Sequence, residues 1–319
     1  MPKNPNCDNL VPVGRDSSGG SLRSLIGKVI ADKYQIRSVL GSGGMGTVFE
    51  AQHTSIGRIV AIKILNPEAN NPVAVKRFQQ EAWAAGSIGH PNLCEVSDLG
   101  ALPDGSPYLV MERLYGETLS ERLHRERRLP IGDGIHIALQ MLAGLSVVHQ
   151  RGIVHRDIKP DNVFLSSRTG FPTVTKLLDF GVSKVMPGGT VDEWDEKSAL
   201  TKTGVVMGTP YYVSPEQARA LRDLDARTDL YSCGVVLYEA LAGELPFEAP
   251  HFNALLLRIV RGNPVLPSTL RPEIPRALEQ VILTAMALDR NARYPTAHDM
   301  ARALEAVGGT LGRPGPSAV

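Results

Sequence analysis

The chain has 319 residues, of which 43% are hydrophobic and 21% are charged, a composition typical of globular domains with one large or two smaller cores. Its 34 Lys and Arg balance 33 Asp and Glu, which argues against a nucleic-acid or membrane-surface partner. Three scattered cysteines exclude a disulfide framework, and no apolar run reaches the ~20 residues that cross a bilayer. We therefore expect a cytoplasmic protein with no membrane segment in this chain.

The composition changes near both ends of the chain. Residues 1–27 are rich in Asn, Pro, Gly and Ser and predict a mobile leader, and residues 307–319 predict a mobile tail. Between them, the pattern is strand-like at first and mainly helical later. We expect one domain over residues 28–306, with a small lobe at 28–113, a large lobe at 117–306 and a ligand cleft between the lobes.

A glycine-rich stretch, "LGSGGMGTV", runs from Leu40 to Val48 and contains Gly41, Gly43 and Gly46 in a Gly-x-Gly-x-x-Gly pattern. Such a stretch is either an ordinary hairpin turn or a loop whose backbone N–H groups lie over phosphates. A predicted strand follows it, rather than the helix that a dinucleotide-binding fold requires, which argues against that fold.

The stretch "RIVAIKIL" predicts a strand. Val60, Ile62 and Ile64 fall on one face, and Ala61 and Lys63 fall on the other. A lysine on a strand is often simply solvated. Here the small Ala61 beside Lys63 leaves room for a flat ligand on the same face.

A helical period follows, in which Val75, Phe78 and Ala82 form an apolar stripe with Glu81 beside it. Glu81 is placed to pair with Lys63. Such a pair would hold the ammonium group of the lysine toward phosphate oxygens.

The stretch "HRDIKPDN", from His155 to Asn162, places cations, carboxylates and an amide between two apolar runs. So much polarity beside a core is explained if its counter-charges arrive with a ligand. Asp179 in "LLDFG" lies 22 residues after Asp157, at the end of another apolar run. Either Asp179 caps a turn, or with Asn162 it supplies the hard oxygen ligands that Mg²⁺ prefers.

The stretches "GSGGMGTV", "VAIK", "HRDIKPDN", "DFG" and "SPE" follow one another in this order. Together they resemble the protein kinases, specifically the eukaryotic-like (Hanks-type) serine/threonine kinases of bacteria, over about residues 28–306. The resemblance implies an α+β, bilobal protein kinase fold. Its small lobe would hold a five-stranded antiparallel sheet with one main helix, and its larger lobe would be mainly helical.

The resemblance also implies a reaction, in which the γ-phosphoryl group of ATP passes to Ser or Thr hydroxyls of proteins with Mg²⁺, or Mn²⁺ in its place. Asp157 would orient the hydroxyl and accept its proton, and Lys159 would neutralise the moving phosphoryl group. Asn162 and Asp179 would hold the metal. The residues implied to bind the nucleotide are Leu40, Gly41, Ser42, Gly43, Gly44, Met45, Gly46, Thr47, Val48, Ala61, Lys63, Glu81, Met111, Glu112, Leu114 and Phe164.

Regulation is implied by the segment that follows "DFG". Thr201 and Thr203 resemble threonines that are autophosphorylated in bacterial relatives, although ordinary loop threonines are the alternative. Arg156, with Lys184 and Arg77, would bind the added phosphate. We expect activation by autophosphorylation, in trans within a homodimer.

Four further residues are implied to have roles, one in positioning the substrate and three in organising the large lobe. Thr209 in "GTPYY" matches a threonine that bonds the catalytic Asp and Lys of serine/threonine kinases. Glu216 in "SPE" should pair with Arg293, and Asp229 should anchor the backbone of the catalytic loop.

Two other functions remain open. A nucleotide-binding pseudokinase or scaffold would keep the fold without transfer, but such proteins usually lack the Lys, Asp or metal ligands present here. A small-molecule kinase of related fold would lack the "GTPYYVSPE" segment that shapes a peptide-docking surface.

Overall fold

The computed structural model describes residues 22–43, 46–66, 72, 74–76, 78–79, 86–168, 170–179 and 210–310. The chain divides into two compact units. The first unit is Met1–Val75 with Asp98–Val110, and the second unit is Lys76–Ser97 with Met111–Val319.

A six-stranded sheet dominates the first unit, with the strand order β1-β2-β3-β4-β6-β5. The pairs β1–β2, β2–β3 and β3–β4 are antiparallel. The strands are β1 (Val29–Ile30), β2 (Tyr34–Ser42), β3 (Gly46–His53), β4 (Ile59–Leu65), β5 (Val96–Ala101) and β6 (Pro107–Glu112).

The predicted number of five strands is wrong by one, while the α+β class is confirmed. The additional strand is β1, in which Val29 pairs with Gln35 and Ile30 with Tyr34. A tight turn joins it to β2, with the N–H of Lys33 donating to the carbonyl of Ile30 at 3.1 Å. A strand of two residues is too short to show the alternation by which strands are recognised in a sequence.

The core of the first unit lies on the face that the alternation in β4 predicts. Ile62 and Ile64 of β4 are fully buried, and Phe49 and Ala51 of β3 lie in the same apolar cluster. Lys63 is half-buried. The sheet therefore separates an apolar core from a face that carries a lysine.

The predicted helix near residues 75–85 is described only in part. Residues 74–76 and 78–79 are helical, and Phe78 is buried as its stripe predicts. Glu81 and Ala82 lie outside the described residues.

The second unit combines a small sheet, in the order β7-β8-β9, with a set of helices. Its strands are β7 (Gly116–Thr118), β8 (Val163–Arg168) and β9 (Phe171–Leu177). Its helices are α1 (Leu119–Glu126), α2 (Ile131–Gln150), α3 (Pro215–Ala218), α4 (Arg227–Ala242), α5 (Phe252–Arg261), α6 (Pro267–Leu270), α7 (Arg276–Ala285) and α8 (Ala297–Thr310), with 3₁₀ turns at Pro160–Asn162 and Arg290–Ala292.

The core of the second unit is built around α2 and α4. In α4, 14 of the 16 residues are buried, as its apolar pattern on all sides predicts. A Cβ atom on Gly134 of α2 would lie 2.6 Å from Leu241 Cδ2, so the glycine permits a close approach of the two helices.

Helix α2 is long and apolar enough to span a bilayer by length and composition, and is alone in this among the helices of the described ranges. Its stripe of Ile135, Ala138, Leu142 and Leu145 is buried within the second unit. A helix buried in a protein core has the same length and apolar composition, and α2 is such a helix.

Candidate functional site

The glycine-rich loop, residues 40–48, runs from the last residues of β2 to the first residues of β3 in the first unit. The N–H of Gly43 donates to the carbonyl of Gly46 at 2.9 Å and closes the turn. A Cβ atom on Gly46 would lie 2.5 Å from the Ile64 carbonyl oxygen, so only glycine fits there. A Cβ atom on Gly41 or Gly43 would meet no described atom within 4 Å. Those two glycines therefore leave open space beside the loop.

Asn66, which the sequence does not single out, fastens this loop to the end of β4. Its Nδ2 donates to the carbonyl oxygen of Gly43 at 2.9 Å, and its Oδ1 accepts from the hydroxyl of Thr47 at 3.4 Å. Thr47 is buried, and its hydroxyl also lies 3.2 Å from that of Ser42. The side chain of Asn66 thus links both arms of the loop to the strand that carries Lys63.

The register of β3 and β4 sets the surroundings of Lys63. Val48 pairs with Lys63, and Glu50 pairs with Ala61. Lys63 is therefore the β4 partner of the last residue of the glycine-rich loop. Glu81, its predicted partner, lies outside the described residues.

In the second unit, a buried carboxylate shapes the "HRDIKPDN" loop. Asp229 of α4 accepts the N–H of His155 at 2.8 Å and the N–H of Arg156 at 2.7 Å, and His149 Nε2 lies 2.8 Å from the same carboxylate. Arg156 has a φ of 66°, a conformation that costs energy for a residue with a side chain. The predicted anchoring of the loop by Asp229 is confirmed.

His155 has a structural role. Its Nε2 donates to the carbonyl oxygen of Leu178 at 2.9 Å, which leaves its Nδ1 to accept the N–H of Asp157 at 3.4 Å. Burial lowers the pKa of His155, more than the nearby Asp229 and Asp157 raise it. The imidazole is therefore neutral, and it ties the loop to the end of β9.

Two side chains of the loop converge on the carboxylate of Asp157. Asn162 Nδ2 donates to the Asp157 carbonyl oxygen at 2.8 Å and to Asp157 Oδ2 at 3.0 Å. Lys159 Nζ lies 3.1 Å from the same Oδ2. Asp157 is thereby held in one orientation beside a positive charge.

Asp179 lies just after a residue that is bonded to the "HRDIKPDN" loop. The N–H of Leu178 donates to the carbonyl oxygen of Asn162 at 2.9 Å, which joins the two segments just before Asp179. With its Nδ2 bonded to Asp157, Asn162 presents Oδ1 as the atom that can ligate a metal. The described residues contain no group of three or more His, Cys, Asp or Glu able to hold an ion by themselves. Two oxygen donors with phosphate and water as the other ligands fit the way Mg²⁺ is bound.

The end of β6 carries Met111 and Glu112, and the buried Leu114 follows. The N–H of Glu112 donates to the carbonyl oxygen of Glu95 at 2.9 Å. The Glu112 carboxylate pairs with Lys176, a residue that the sequence does not single out. A lysine within a strand gives no sign of a partner 64 positions away.

Several predicted residues lie outside the described ranges, so their roles stay predictions. They are Gly44 and Met45 of the glycine-rich loop, Arg77 and Glu81, and Lys184, Thr201, Thr203 and Thr209.

Comparison with known proteins gives a consistent result. The sequence model of the protein kinase domain matches residues 34–303. The chain is 39% identical over 285 residues to serine/threonine-protein kinase pkn3 of Myxococcus xanthus, covering 88% of this chain and 51% of that protein. It is 37% identical over 275 residues to serine/threonine-protein kinase PknB of Mycolicibacterium smegmatis, covering 85% and 42%.

Solved structures of kinase domains also match this chain. The crystal structure of the Mycobacterium tuberculosis PknI kinase domain superposes with a TM-score of 0.67 at 26% identity, covering 88% of this chain and 98% of that chain. The chain thus spans about half, or less, of the curated relatives but nearly all of a solved catalytic domain.

Proposed function

The chain belongs to the protein kinase family, and we propose that it is a serine/threonine protein kinase that transfers the γ-phosphoryl group of ATP to Ser or Thr hydroxyls of other proteins. The observation that carries this proposal is the environment of Asp157, whose carboxylate lies 3.0 Å from Asn162 Nδ2 and 3.1 Å from Lys159 Nζ. The bacterial relatives named as serine/threonine-protein kinases support the choice of acceptor.

In the proposed reaction, the hydroxyl oxygen of the substrate forms a bond to the γ-phosphorus as the bond from that phosphorus to the β-phosphate oxygen breaks and ADP leaves. The hydroxyl proton passes to Asp157. Lys159 stabilises the negative charge of the phosphoryl group during transfer. Because the transition state is loose, orientation and charge account for most of the acceleration.

Mg²⁺, or Mn²⁺ in its place, would neutralise the charge of the phosphates when bound. We assign its protein ligands to Asn162 Oδ1 and the Asp179 carboxylate, a donor set of hard oxygens that fits either ion. The bond from Leu178 to Asn162 at 2.9 Å supports the assignment, because it keeps the two ligand segments side by side.

The nucleotide is assigned to the residues that the family resemblance implies. In the first unit these are the glycine-rich loop, Ala61 and Lys63, and the open space beside Gly41 and Gly43 supports a role for the loop in covering phosphates. In the second unit they are Met111, Phe164 and the backbone of Glu112 and Leu114, which lie in the hinge segment, residues 111–114.

We also propose that phosphorylation regulates this activity. Autophosphorylation of Thr201 and Thr203, in trans within a homodimer, would add charge near −2 at each site. Arg156 is assigned to bind that charge. Burial lowers the pKa of Arg156 while Asp229 raises it, so a phosphate would find a partly desolvated cation there. We place the reaction in the cytoplasm, and Cys94 and Cys233, which are free and buried, support this choice.

The test is the transfer of ³²P from γ-labelled ATP to a mixed protein substrate and to the chain itself. Asp157→Asn keeps the size of the side chain and removes the proton acceptor, so we expect a loss of about 10²-fold or more. Asp104→Asn is a matched control, because an asparagine oxygen still accepts the N–H of Ser106, now bonded to Asp104 at 2.9 Å. Transfer by wild type no higher than background would overturn the proposal in favour of a binding protein that lacks phosphoryl transfer, and equal, measurable transfer by wild type and Asp157→Asn would overturn the role of Asp157.

A further inference from the structure

Lys176 forms a nearly buried ion pair that the proposed reaction does not require. It lies on β9, three positions before Asp179. Its Nζ is 2.5 Å from Oε1 of Glu112 and 3.2 Å from the carbonyl oxygen of Leu93. The Lys176 and Glu112 side chains are only 14% and 12% exposed. Such a pair is oriented by its hydrogen bonds and is little screened by solvent.

Glu112 is held at both its side chain and its backbone. Its Oε1 accepts the N–H of Glu95 at 2.9 Å, and its own N–H donates to the carbonyl oxygen of Glu95 at 2.9 Å. The carboxylate therefore receives a backbone donor and an ammonium at the same oxygen. The side chain and the backbone of Glu112 are thus both bonded to Glu95.

The segment that surrounds the ion pair is itself fixed to β9. The N–H of Leu177 donates to the carbonyl oxygen of Asn92 at 2.9 Å, and the N–H of Cys94 donates to the carbonyl oxygen of Leu177 at 3.1 Å. Leu93 is 1% exposed, and burial raises the pKa of the Cys94 thiol to about 12. The segment beside Glu112 is thus buried and bonded to β9, and Lys176 places a positive charge next to it.

We propose that Lys176 is a positioning residue for the adenine ring, acting through Glu112. By fixing the Glu112 side chain, it holds the carbonyl of Glu112 and the N–H of Leu114 in the direction in which an adenine edge can bond to them. This inference rests on the proposed function, since it assumes that the hinge segment binds the nucleotide. Lys176 touches no reacting atom in this scheme.

An alternative would be an effect on the metal ligand, since Lys176 and Asp179 share one strand end. The two roles differ in what they would disturb. A hinge role changes the affinity for any ligand with an adenine ring, with or without phosphates. A role through Asp179 changes only the binding or transfer of phosphates.

The experiment therefore compares adenosine with Mg²⁺-ATP, both by isothermal titration, and adds the transfer rate at saturating ATP. Lys176→Met keeps the length of the side chain and removes the charge. We expect both dissociation constants to rise by a similar factor of about tenfold, equivalent to ~1.4 kcal/mol, while the saturated rate changes by less than about twofold. Lys176→Arg, which restores a cation, should return both constants to within about threefold of wild type.

Two controls keep the result interpretable. Lys28→Met removes an exposed lysine of the first unit and should change neither affinity. The double variant Lys176→Met/Glu112→Gln avoids the buried, unpaired carboxylate that Lys176→Met alone leaves, so it should fold more readily. It still lacks the ammonium group that we propose to hold Glu112. Thermal unfolding is followed for each variant, and the double variant should bind adenosine as weakly as Lys176→Met.

Unchanged adenosine affinity in a folded Lys176→Met or double variant would overturn the inference, as would a lower saturated rate with unchanged adenosine affinity. Because adenosine binding needs no phosphoryl transfer, this comparison is independent of the Asp157→Asn result. A wild type that binds adenosine and transfers no phosphate would refute the proposed function alone.

Discussion

Arg293 and Glu216 form a two-pronged buried ion pair in the second unit. Arg293 Nη1 donates to Glu216 Oε1 at 2.7 Å, and Nη2 donates to Oε2 at 2.8 Å. The Arg293 side chain is 0% exposed and that of Glu216 is 6% exposed. The hydroxyl of Thr228 adds a third bond to the carboxylate, at Oε1 and 2.9 Å, so both carboxylate oxygens accept hydrogen bonds. The pair joins the start of α3 to the segment before α8, residues 77 positions apart.

Glu216→Gln should destabilise the chain by about 3–5 kcal/mol, because it leaves the Arg293 charge buried without its counter-charge. The measurement is urea unfolding at pH 7 followed by circular dichroism. Glu273→Gln is the control, since Glu273 is 66% exposed and should lose well under ~1 kcal/mol. Equal losses in the two variants would show that the pair contributes no more than a surface contact.

The same pair predicts a dependence on pH. Burial alone would raise the pKa of Glu216, but the hydrogen bonds and charge of Arg293 outweigh it and lower the pKa below its ordinary value. The stabilisation is therefore present above the unfolded-state pKa of about 4.5 and is lost as pH falls through the lower folded-state pKa. The difference between wild type and Glu216→Gln should shrink as unfolding is measured at progressively lower pH in that range. A difference that stays constant with pH would contradict the assignment.

Tyr231→Phe should leave stability unchanged or raise it by up to ~1 kcal/mol. The Tyr231 ring is 1% exposed and lies 4.9 Å from the guanidinium carbon of Arg293. Its hydroxyl is buried and has no hydrogen-bond partner within the described part of the chain. Removing it keeps the ring beside the cation and discards a desolvated polar group. Thermal unfolding measures the change, and Tyr231→Ala, which leaves a cavity, should cost about 3–5 kcal/mol.

The parts of the site that the sequence predicts are those carried by short motifs. The Asp229 anchor and the Glu216 pair are implied by the family resemblance, and the contacts of both are confirmed. The turn of the glycine-rich loop and the buried stripe of α2 follow from local pattern alone.

The residues that sequence reasoning missed are single polar side chains with distant partners. Asn66 bonds to a residue 23 positions away, and Lys176 bonds to one 64 positions away. Each lies at or near the end of a strand, where an isolated Asn or Lys has no periodicity to mark it. Their roles depend on strand register and order, which the alternation of apolar residues does not specify between distant segments.

Asn66→Ala should weaken ATP binding, because the glycine-rich loop loses its bonds from Gly43 and Thr47 to β4. Loss of about 1 kcal/mol of hydrogen bonding corresponds to a rise of about fivefold in the KM for ATP. Hydrogen exchange at the amides of residues 41–48 should also become faster. Asn253→Ala changes an exposed asparagine of α5 and serves as the control. Unchanged KM and unchanged exchange in Asn66→Ala would show that the loop is held without this side chain.

Gly116→Ala should separate the hinge segment from the second sheet. Gly116 pairs with Ser166 across β7 and β8, and it has a φ of 136°. A Cβ atom there would lie 2.1 Å from the carbonyl oxygen of Leu165, which is backbone and cannot move aside as a side chain could. Strain and clash together should cost about 3 kcal/mol or more in urea unfolding.

Gly152→Ala separates the backbone strain from the steric clash that together destabilise Gly116→Ala. Gly152 has a φ of 72°, but a Cβ atom there would meet no described atom within 4 Å. It should therefore lose only the ~1–2 kcal/mol of left-handed backbone strain. If Gly116→Ala cost no more than Gly152→Ala, the close approach of β7 to Leu165 would have to relax freely. The hinge would then owe its position to its side-chain contacts, such as the pair of Glu112 with Lys176.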